Sequence, residues 1–543
     1  MLILICAMVS NDFKHLHIAT QSASKQRLFF GVVLSHRSRL AFCRAVVTGI
    51  TAGLVTAAMP LQSAQAENTP YCQQTASAIA QKEKLRIEAV KGNADAQKKY
   101  KAILVQQGDR LRNCRTQTWP QNQAIWIRLY ACDAKPGVLE AVLDRIVDRG
   151  YNQVYVEAFY TGRALLPVNQ NVTPWLSTLA GSGADNVDLL AQAIQKGRAR
   201  GLKVYAWMFG LNFGASYARR FDRQQTLAKN GLGQTSLTAN VLPGLSTDLG
   251  QLNPDEVFVD PYSPQARQDY STLIAAIAQR KPDGILFDYI RYPRGSGSAS
   301  VASKVQDLWV YGNASQQTLL QRAQNASGVE LLRRFLQYGF LRADDLKETN
   351  SVKDLTTSKL AEQRPVWQGI DTARIPTNLP TAKQATLFQS ELWRLAVAHA
   401  GQGVIDFVNE ATGNVQNRGM ATGVVFFPDG NLTIGQGYDS RLQLWDRFPA
   451  TAEWHPMAYG VCGNTSCIMQ QIQRVLSRAP AGVQVKPVLA GVWQKSVGNR
   501  PSLEAQMQVL YRLAPQLTTV SHFAYSWQEP GSDRDRKACT VRP

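Results

Sequence analysis

The sequence predicts an α/β protein, a (β/α)8 TIM-type barrel preceded by a helical hairpin. Strand-like and helix-like segments alternate from residue 124 to residue 527, which is typical of parallel βαβ units. Eight strand-like segments occur, and each but the last is followed by a helical segment, as a closed barrel requires. About 400 residues is long for such a barrel, and a Ser-, Gln- and Asn-rich stretch at about 294–380 accounts for most of the surplus.

The first predicted element is a helical hairpin over residues 71–114. The segment is rich in the helix formers Ala, Gln, Lys and Glu, and it is broken only by a Lys-Gly-Asn-Ala sequence at residues 91–94. Cys72 lies 21 residues before Asn93, and Cys114 lies 21 residues after it. Equal arms bring the two cysteines level, so we expect a disulfide at the open end. The alternative is a polar linker with two unrelated thiols.

The barrel elements follow from the hydrophobic pattern. Apolar runs rich in β-branched and aromatic residues predict strands at 124–131, 152–160, 202–209, 284–290, 420–427, 453–459, 483–493 and 519–527. Helical segments are expected between them at 136–149, 185–200, 264–280, 382–410, 440–447, 468–478 and 503–513. We interpret the stretch at about 294–380 as an insertion after strand four. The predicted domains are therefore a hairpin region at 67–120, the barrel at 121–530 and a C-terminal tail at 531–543.

Residues 1–66 resemble an export signal. Three arginines at positions 37–44 precede an apolar stretch at 45–61, and a small-x-small ending at 64–66 predicts cleavage before Glu67. The alternative is a single membrane anchor, but 17 residues that include Thr, Gly and Pro are marginal for spanning a bilayer. We therefore expect an exported protein of the periplasm, the cell envelope or the extracellular space, with no transmembrane segment after signal removal.

Charge and composition exclude several classes of function. The formal charge is +19, and residues 1–66 carry six Lys/Arg and one Asp, which leaves +14 for the rest. This excess favours solubility and loose attraction to anionic surfaces. The sequence has no nucleic-acid-binding motif, so no nucleic-acid partner is expected. The three histidines after residue 66 are not spaced for zinc, and no glycine-rich phosphate loop is present, so we expect no metal and no cofactor.

Six cysteines follow the signal, an even number that fits three disulfides in an exported protein. Cys462 and Cys467 flank a turn-prone loop after strand six, and we expect them to pair. Cys132, after strand one, and Cys539, in the tail, remain as the third pair. Strands one and eight are neighbours in a closed barrel, so this pairing also places the basic tail at 534–537 beside the mouth of the barrel.

Strand four carries the main candidate for a catalytic residue. Its residues 284–290 are apolar or aromatic except for Asp288, which lies near the C-terminal end of the strand. A carboxylate on a buried face is costly unless it is paired or used in a site. Barrel enzymes carry their sites at the C-terminal ends of the strands, which favours a catalytic role. The alternative is a salt bridge between Asp288 and Arg291.

Aromatic and polar residues are concentrated at the same end of the other predicted strands. The residues expected to contact a substrate are Arg291, Trp207, Asn212, Tyr459, Trp493 and Trp527. Aromatic rings stack on the apolar faces of sugars, and carboxylates act on glycosidic bonds as acid, base or nucleophile. Each aromatic residue alone is more typical of ordinary packing, but their concentration favours a sugar-binding cleft.

The strand-four sequence DGILFDYIRYP at 283–293 resembles the signature of the glycosyl-hydrolase-like family 10 domains, which are exported bacterial barrels. Further similarity lies in NQVYVE at 152–157, LKVYAW at 202–207, VDPYSPQAR at 259–267 and HPMAY at 455–459. The resemblance covers roughly residues 122–530. It implies a glycoside hydrolase with Asp288 as a catalytic carboxylate. Many members carry two adjacent acids where this chain has Asp288 followed by Tyr289.

A glycosidase of this kind needs a second carboxylate. Asp429 is the first candidate, because it follows strand five, which neighbours strand four in the barrel. Glu157 on strand two is the second candidate, with burial against Arg163 as the alternative for its side chain. Glu529 is third, and Glu453 is discounted because it opens strand six at the opposite end of the barrel.

Two functions remain open at the level of sequence. The first is a glycoside hydrolase that cleaves a cell-envelope or extracellular polysaccharide, with peptidoglycan as one possible substrate. The second is a non-catalytic envelope protein that holds glycan in the barrel cleft. The barrel fold alone does not separate them.

Overall fold

The computed structural model describes residues 71–241, 255–349 and 364–541. The predicted signal at 1–66 and residues 350–363 of the predicted insertion lie outside these ranges. Within the described ranges, no helix combines the length and hydropathy needed to cross a bilayer.

Eight parallel strands form a closed barrel. They are β1 (Asn122–Ile127), β2 (Gln153–Tyr160), β3 (Lys203–Phe209), β4 (Gly284–Asp288), β5 (Ala421–Phe426), β6 (Glu453–Ala458), β7 (Val488–Ala490) and β8 (Thr519–Phe523). Each strand pairs with the next, and β1 closes the ring by pairing with both β8 and β2. The predicted fold class is therefore confirmed.

Aromatic side chains fill the interior of the barrel. Trp126 meets Tyr155 at a ring-centroid distance of 4.8 Å and Trp207 at 5.0 Å, both edge to face. His455 lies 5.7 Å from the Tyr155 ring. Edge-to-face packing of such large rings leaves a filled core rather than a pore. Only the two ends of the barrel are therefore open to ligands.

The helices around the barrel are α3 to α8, and α1 and α2 form the hairpin. Their bounds are α1 (Ala76–Val90), α2 (Ala94–Gln117), α3 (Val138–Asp148), α4 (Leu189–Arg198), α5 (Pro264–Ala278), α6 (Thr381–Gln416), α7 (Ser466–Leu476) and α8 (Leu503–Leu513), and a tail helix α9 (Pro530–Ala538) follows. Short helices at Gly214–Ala218, Ser236–Val241 and Tyr525–Gln528 lie in the loops. The insertion contributes helices at Asn313–Leu320, Ala326–Tyr338 and Ala343–Thr349.

Three sequence expectations about these elements are wrong. The strand expected at 519–527 ends at Phe523, and a short helix follows at Tyr525–Gln528. Where a helix was expected at 440–447, the chain forms only a 3-10 turn at Trp445–Arg447. Two short antiparallel strands, Thr433–Ile434 and Gly437–Asp439, precede this turn, and the second of them also pairs with Val301–Ala302. The glycines before it favour turns over a helix. The strand expected at 483–493 begins only at Val488, because Pro487 has no N–H for the ladder.

The insertion is fixed to the barrel through a buried histidine on α6. Arg322 donates its Nε–H to His399 Nδ1 at 3.0 Å, and the other ring nitrogen lies 3.0 Å from the Ser315 carbonyl. The Tyr262 ring stacks on the imidazole at 4.3 Å. Burial, with the Arg322 charge, lowers the pKa of His399 to about 3, so this histidine is neutral and structural.

All three expected disulfides are present. They join Cys72 to Cys114, Cys132 to Cys539 and Cys462 to Cys467, with Cα–Cα distances of 5.8, 5.2 and 6.2 Å. These distances lie in the usual range for a disulfide. Within the basic tail, Arg536 is buried and pairs with Asp133 after β1 at 2.6 Å, whereas the Arg534 side chain is exposed.

The hairpin packs on the outer helices of the barrel. Asn93 caps α2 by accepting the Ala96 N–H at 2.9 Å. Lys82 on α1 pairs with Asp148 at the end of α3 at 2.6 Å, with both side chains buried. Gly108 on α2 allows a close approach, since a Cβ there would lie 2.9 Å from the Arg200 carbonyl oxygen. The hairpin is therefore part of the same packed structure as the barrel.

We expect Asp144→Ala to destabilise the protein by about 3–5 kcal/mol, because it leaves a buried cation without its partner. Asp144 on α3 accepts from Arg200 Nε at 2.8 Å and from the Tyr100 hydroxyl of α2 at 2.7 Å. Equilibrium urea unfolding measures the loss. Asp109→Ala is the control, because its ion pair with Arg112 is exposed and contributes at most about 1 kcal/mol. Equal effects of the two variants would contradict the assigned role of Asp144.

Candidate active site

Asp288 is the last residue of β4 and lies at the C-terminal end of the barrel. Its Oδ2 accepts the indole N–H of Trp207 at 3.2 Å, and its Oδ1 accepts the backbone N–H of Tyr289 at 2.7 Å. The β3–β4 register pairs Phe209 with Asp288, so Trp207 lies two residues back on the same face. Tyr289 has a φ of +52°, a strained conformation for a non-glycine residue that is common at functional sites.

Burial raises the pKa of Asp288 to about 6. The residue is 7 % exposed, and low solvation disfavours its charged form. The Tyr289 N–H, the Arg291 charge and the Trp207 N–H oppose this shift, while the negative charge of Glu157 adds to it. The result is a carboxyl group that takes up a proton at mildly acidic pH, as a general acid must.

Aromatic rings surround this carboxyl group. The Phe523 ring, at the end of β8, lies 6.1 Å from Trp207, 5.9 Å from Tyr459 and 6.5 Å from Trp527. Burial and then the charge of Asp288 raise the pKa of Tyr459, which places its hydroxyl in the electrostatic range of the carboxylate. Two sequence-predicted residues, Trp207 and Tyr459, therefore lie near Asp288, and a third, Trp527, is connected to them through Phe523.

Sequence reasoning missed Phe523 and Arg500. Arg500 is buried, donates its Nε–H to the Tyr459 carbonyl at 3.2 Å and lies 5.9 Å from the centre of the Trp527 ring. It follows β7 in a loop without any recognisable motif, so no sequence signal marks it. Phe523 lies inside the strand expected at 519–527, so nothing in the sequence marks it as the last residue of that strand.

Arg291 does not form the salt bridge with Asp288 that is the alternative to a catalytic role of that residue. Among the described residues, its guanidinium donates to the Tyr292 carbonyl at 3.0 Å and lies 4.6 Å from the Tyr289 ring centre. It also lies 5.9 Å from the Phe427 ring centre. Arg291 therefore acts on Asp288 through its charge across a short distance rather than through a direct ion pair.

Glu157 is fully buried and held by Arg128, not by Arg163. Arg128 donates to both carboxylate oxygens, with its Nη2 at 3.1 Å from Oε1, and its guanidinium lies 4.1 Å from the centre of the Tyr160 ring. Arg163 instead donates to the Ser177 carbonyl at 3.2 Å. Burial raises the pKa of Glu157, and Arg128 opposes that shift.

The other two acidic candidates are bound to partners other than Asp288. Asp429 accepts from the side-chain amide of Gln471, on the outer helix α7, at 2.9 Å. Glu529 pairs with Arg149 at 2.9 Å. Glu529 follows the short helix Tyr525–Gln528 after β8.

Asn212 and Trp493 are structural in their contacts. The Asn212 Oδ1 accepts the N–H of Gly214 at 3.2 Å and of Val257 at 3.0 Å, which holds the loop after β3. Trp493 donates its indole N–H to the Tyr151 hydroxyl at 3.2 Å and packs 4.7 Å from the Tyr71 ring. This position is against the chain before the hairpin, so Trp493 does not join the rings near Asp288.

No group of three or more His, Cys, Asp or Glu side chains is arranged to hold a metal ion within 71–241, 255–349 and 364–541. Glycoside cleavage by carboxyl groups needs no metal. The groups that the structure brings together at this end of the barrel are the Asp288 carboxyl group and the rings of Trp207, Tyr459 and Phe523.

Comparison with known families bears on this site. Residues 116–324 match the glycosyl hydrolase-like 10 family. This glycosyl hydrolase-like 10 region contains β1 to β4 and Asp288, and it ends within the insertion. The match confirms the resemblance inferred from the motifs and supports the prediction of a glycoside-hydrolase-type enzyme. No curated protein sequence matches the chain.

Solved structures with a similar fold include several glycoside hydrolases. The PgaB (BpsB) glycoside hydrolase domain from Bordetella bronchiseptica is 15 % identical, with a TM-score of 0.41 over 78 % of this chain and 99 % of that one. A GH18 chitinase from Pseudoalteromonas aurantia is 10 % identical, with a TM-score of 0.33 over 77 % and 100 %. A GH20 exo β-N-acetylglucosaminidase from Vibrio harveyi is 8 % identical, with a TM-score of 0.37 over 77 % and 55 %.

Proposed function

We propose that this protein is an exported glycoside hydrolase that cleaves a cell-envelope or extracellular polysaccharide, with Asp288 as the general acid. One observation carries the proposal. The Asp288 carboxyl group lies at the functional end of the barrel, is fixed by two N–H donors and has a pKa of about 6. A positioned carboxylic acid of this kind donates a proton to the leaving glycosidic oxygen.

The aromatic group near Asp288 gives the sugar a place to bind. Tyr459, Phe523 and Trp527 form a group of rings that is connected to the carboxyl group through Trp207. Pyranose rings offer an apolar face to such surfaces, so stacking holds the glycosidic oxygen near Asp288. Trp207 contributes differently, because its N–H fixes the orientation of the carboxyl group.

For the second carboxylate, we propose Glu157 ahead of Asp429. The negative charge of Glu157 contributes to the raised pKa of Asp288, so the two groups are electrostatically coupled. Asp429 is turned to Gln471 on the outer side. Glu157 acts as a base or nucleophile only if substrate binding loosens its ion pair with Arg128.

The pH dependence of hydrolysis follows from the raised pKa. A general acid must be protonated, so we expect kcat/KM to be maximal below pH 6 and to fall about tenfold per pH unit above it. In Trp207→Phe, the Asp288 carboxylate loses an N–H donor that stabilises its charged form, so its pKa rises. The falling limb of the pH profile therefore moves to higher pH. An unmoved limb in Trp207→Phe would contradict the assignment of that limb to Asp288.

A non-catalytic glycan-binding protein is the second candidate. It is favoured by the contacts of the other acidic candidates, because Glu157 forms an ion pair with Arg128 and Asp429 accepts a hydrogen bond from Gln471. Under this alternative the aromatic group binds glycan and Asp288 contributes only a polar contact.

A screen of purified residues 67–543 against peptidoglycan and exopolysaccharides separates the two functions. Release of new reducing ends by the wild type, and its loss in Asp288→Asn, supports hydrolysis. Retention on the polysaccharide without any product, equal in both proteins, supports glycan binding alone.

We also propose that export removes residues 1–66 and leaves a mature protein of hairpin, barrel and tail. The three disulfides support this proposal, because such bonds persist in oxidising compartments. N-terminal sequencing of protein recovered outside the cytoplasm tests it. We expect Glu67 as the first residue, and an uncleaved Met1 start would contradict it.

A further inference from the structure

We infer that the N-terminal end of the barrel holds a binding site for a small anion that bears a carboxylate or phosphate group. A cavity of about 400 Å³ opens there, at the opposite end from Asp288. Residues at or just before the starts of the strands contribute to it from all around the ring, among them Gln153, Lys203, Glu453 and Lys486. Its volume lies in the lower part of the range for small-molecule sites, about 300–1,000 Å³.

The Glu453 carboxylate in this cavity is already saturated. Its Oε1 accepts from Lys486 Nζ at 2.5 Å and from the Tyr205 hydroxyl at 3.3 Å, and its Oε2 lies 3.2 Å from His455 Nε2. Burial raises the pKa of this carboxyl, but its contacts with His455 and Lys486 outweigh burial and bring it to about 2. Glu453 therefore stays ionised and has little capacity left to bind a cation.

The Asp283 carboxylate is saturated as well. Its Oδ1 accepts from the Arg198 guanidinium at 3.0 Å, and its Oδ2 accepts the backbone N–H of Val204 at 2.7 Å. Both acids of the cavity are thus paired with cations. A cationic ligand would have to displace these existing partners.

The donors of the cavity, in contrast, are underused. Lys486 is 6 % exposed, and Glu453 is its one ion-pair or hydrogen-bond partner among the described residues, although an ammonium group has three donors. Gln153 is 2 % exposed, and its amide nitrogen has no partner in the described part of the chain. Lys203 is exposed and forms no ion pair there. A ligand rich in hydrogen-bond acceptors would use all three groups.

Charge favours an anion over a neutral acceptor. Burial lowers the pKa of Lys486, Glu453 opposes that shift and the positive charge of Lys203 adds to it. The cavity is thus lined by two ammonium groups. Glu453 offsets one of them. A carboxylate or phosphate between Lys203 and Lys486 would offset the other and fill the free donors.

Binding of inorganic phosphate and of acetate tests this site without reference to glycan hydrolysis. Each anion is titrated at constant ionic strength, maintained with sodium chloride, while the melting temperature and the heat of binding are recorded. We expect saturable binding of at least one anion. Binding of phosphate but not acetate indicates that the site takes a phosphate group, and binding of acetate indicates that it takes a carboxylate group.

Lys203→Gln is the decisive variant, because its exposed side chain is not needed for folding. We expect the dissociation constant of the bound anion to rise at least tenfold in Lys203→Gln and to rise further in Lys486→Met. Lys383→Gln, which removes an exposed charge on α6, should bind as the wild type does. A melting temperature that rises without saturation, or equally in wild type and Lys203→Gln, is a general salt effect and overturns the site. If Lys486→Met fails to fold, Lys203→Gln decides alone.

Discussion

Asp288→Asn is expected to lower kcat by at least about 10³-fold, because the proton donor for the leaving oxygen is lost. Asparagine has nearly the same shape as aspartate and keeps an oxygen that accepts from Trp207 or Tyr289. The substitution also removes a charge that burial disfavours, so the unfolding free energy should not fall. The measurement is kcat on the polysaccharide found in the screen, alongside urea unfolding.

The control for Asp288→Asn is Asp109→Asn on the exposed face of α2. It makes the same chemical change far from the barrel mouth, and we expect its kcat to match that of the wild type. Full activity in Asp288→Asn would overturn the catalytic assignment. A loss of kcat together with unfolding would instead assign Asp288 a structural role.

In the chain-entropy model, replacing both Cys132 and Cys539 by serine is expected to lower the unfolding free energy by about 6 kcal/mol. The bond joins residues 407 positions apart. A crosslink over so long a loop removes much conformational entropy from the unfolded chain, which is why its loss is costly. Equilibrium urea unfolding under non-reducing conditions measures the difference.

The control for that variant is the replacement of Cys462 and Cys467, which are only five positions apart. The same entropy argument gives this short loop about 2 kcal/mol, roughly a third of the larger effect. Equal losses in the two double variants would show that loop length does not govern the contribution of these disulfides.

The sequence predicted the barrel because strand and helix periodicity repeats along the chain, and each repeat supports the same topology. It also predicted the cysteine pairs, since barrel closure brings strands one and eight together. The helix expected at 440–447 failed because its extended neighbour pairs with Val301–Ala302, a contact of distant segments. Local pattern carries no information about such a partner.

The site was predicted in part. Asp288 was visible as the one acid in an apolar strand, and Trp207 and Tyr459 as aromatic residues at strand ends. The pairing of Glu157 with Arg128 and the outward turn of Trp493 depend on side-chain directions across strands. Arg500 reaches the site through a loop, and a loop has no periodicity from which its direction can be read.

The bond between Cys132 and Cys539 makes the barrel a covalent ring. A protease that cuts the chain once between these residues separates no fragment, because the disulfide still joins the two pieces. The Cys72–Cys114 bond gives the hairpin the same property. In an environment rich in proteases, a single cut therefore leaves one molecule of unchanged mass, apart from one added water, until a reductant opens the ring.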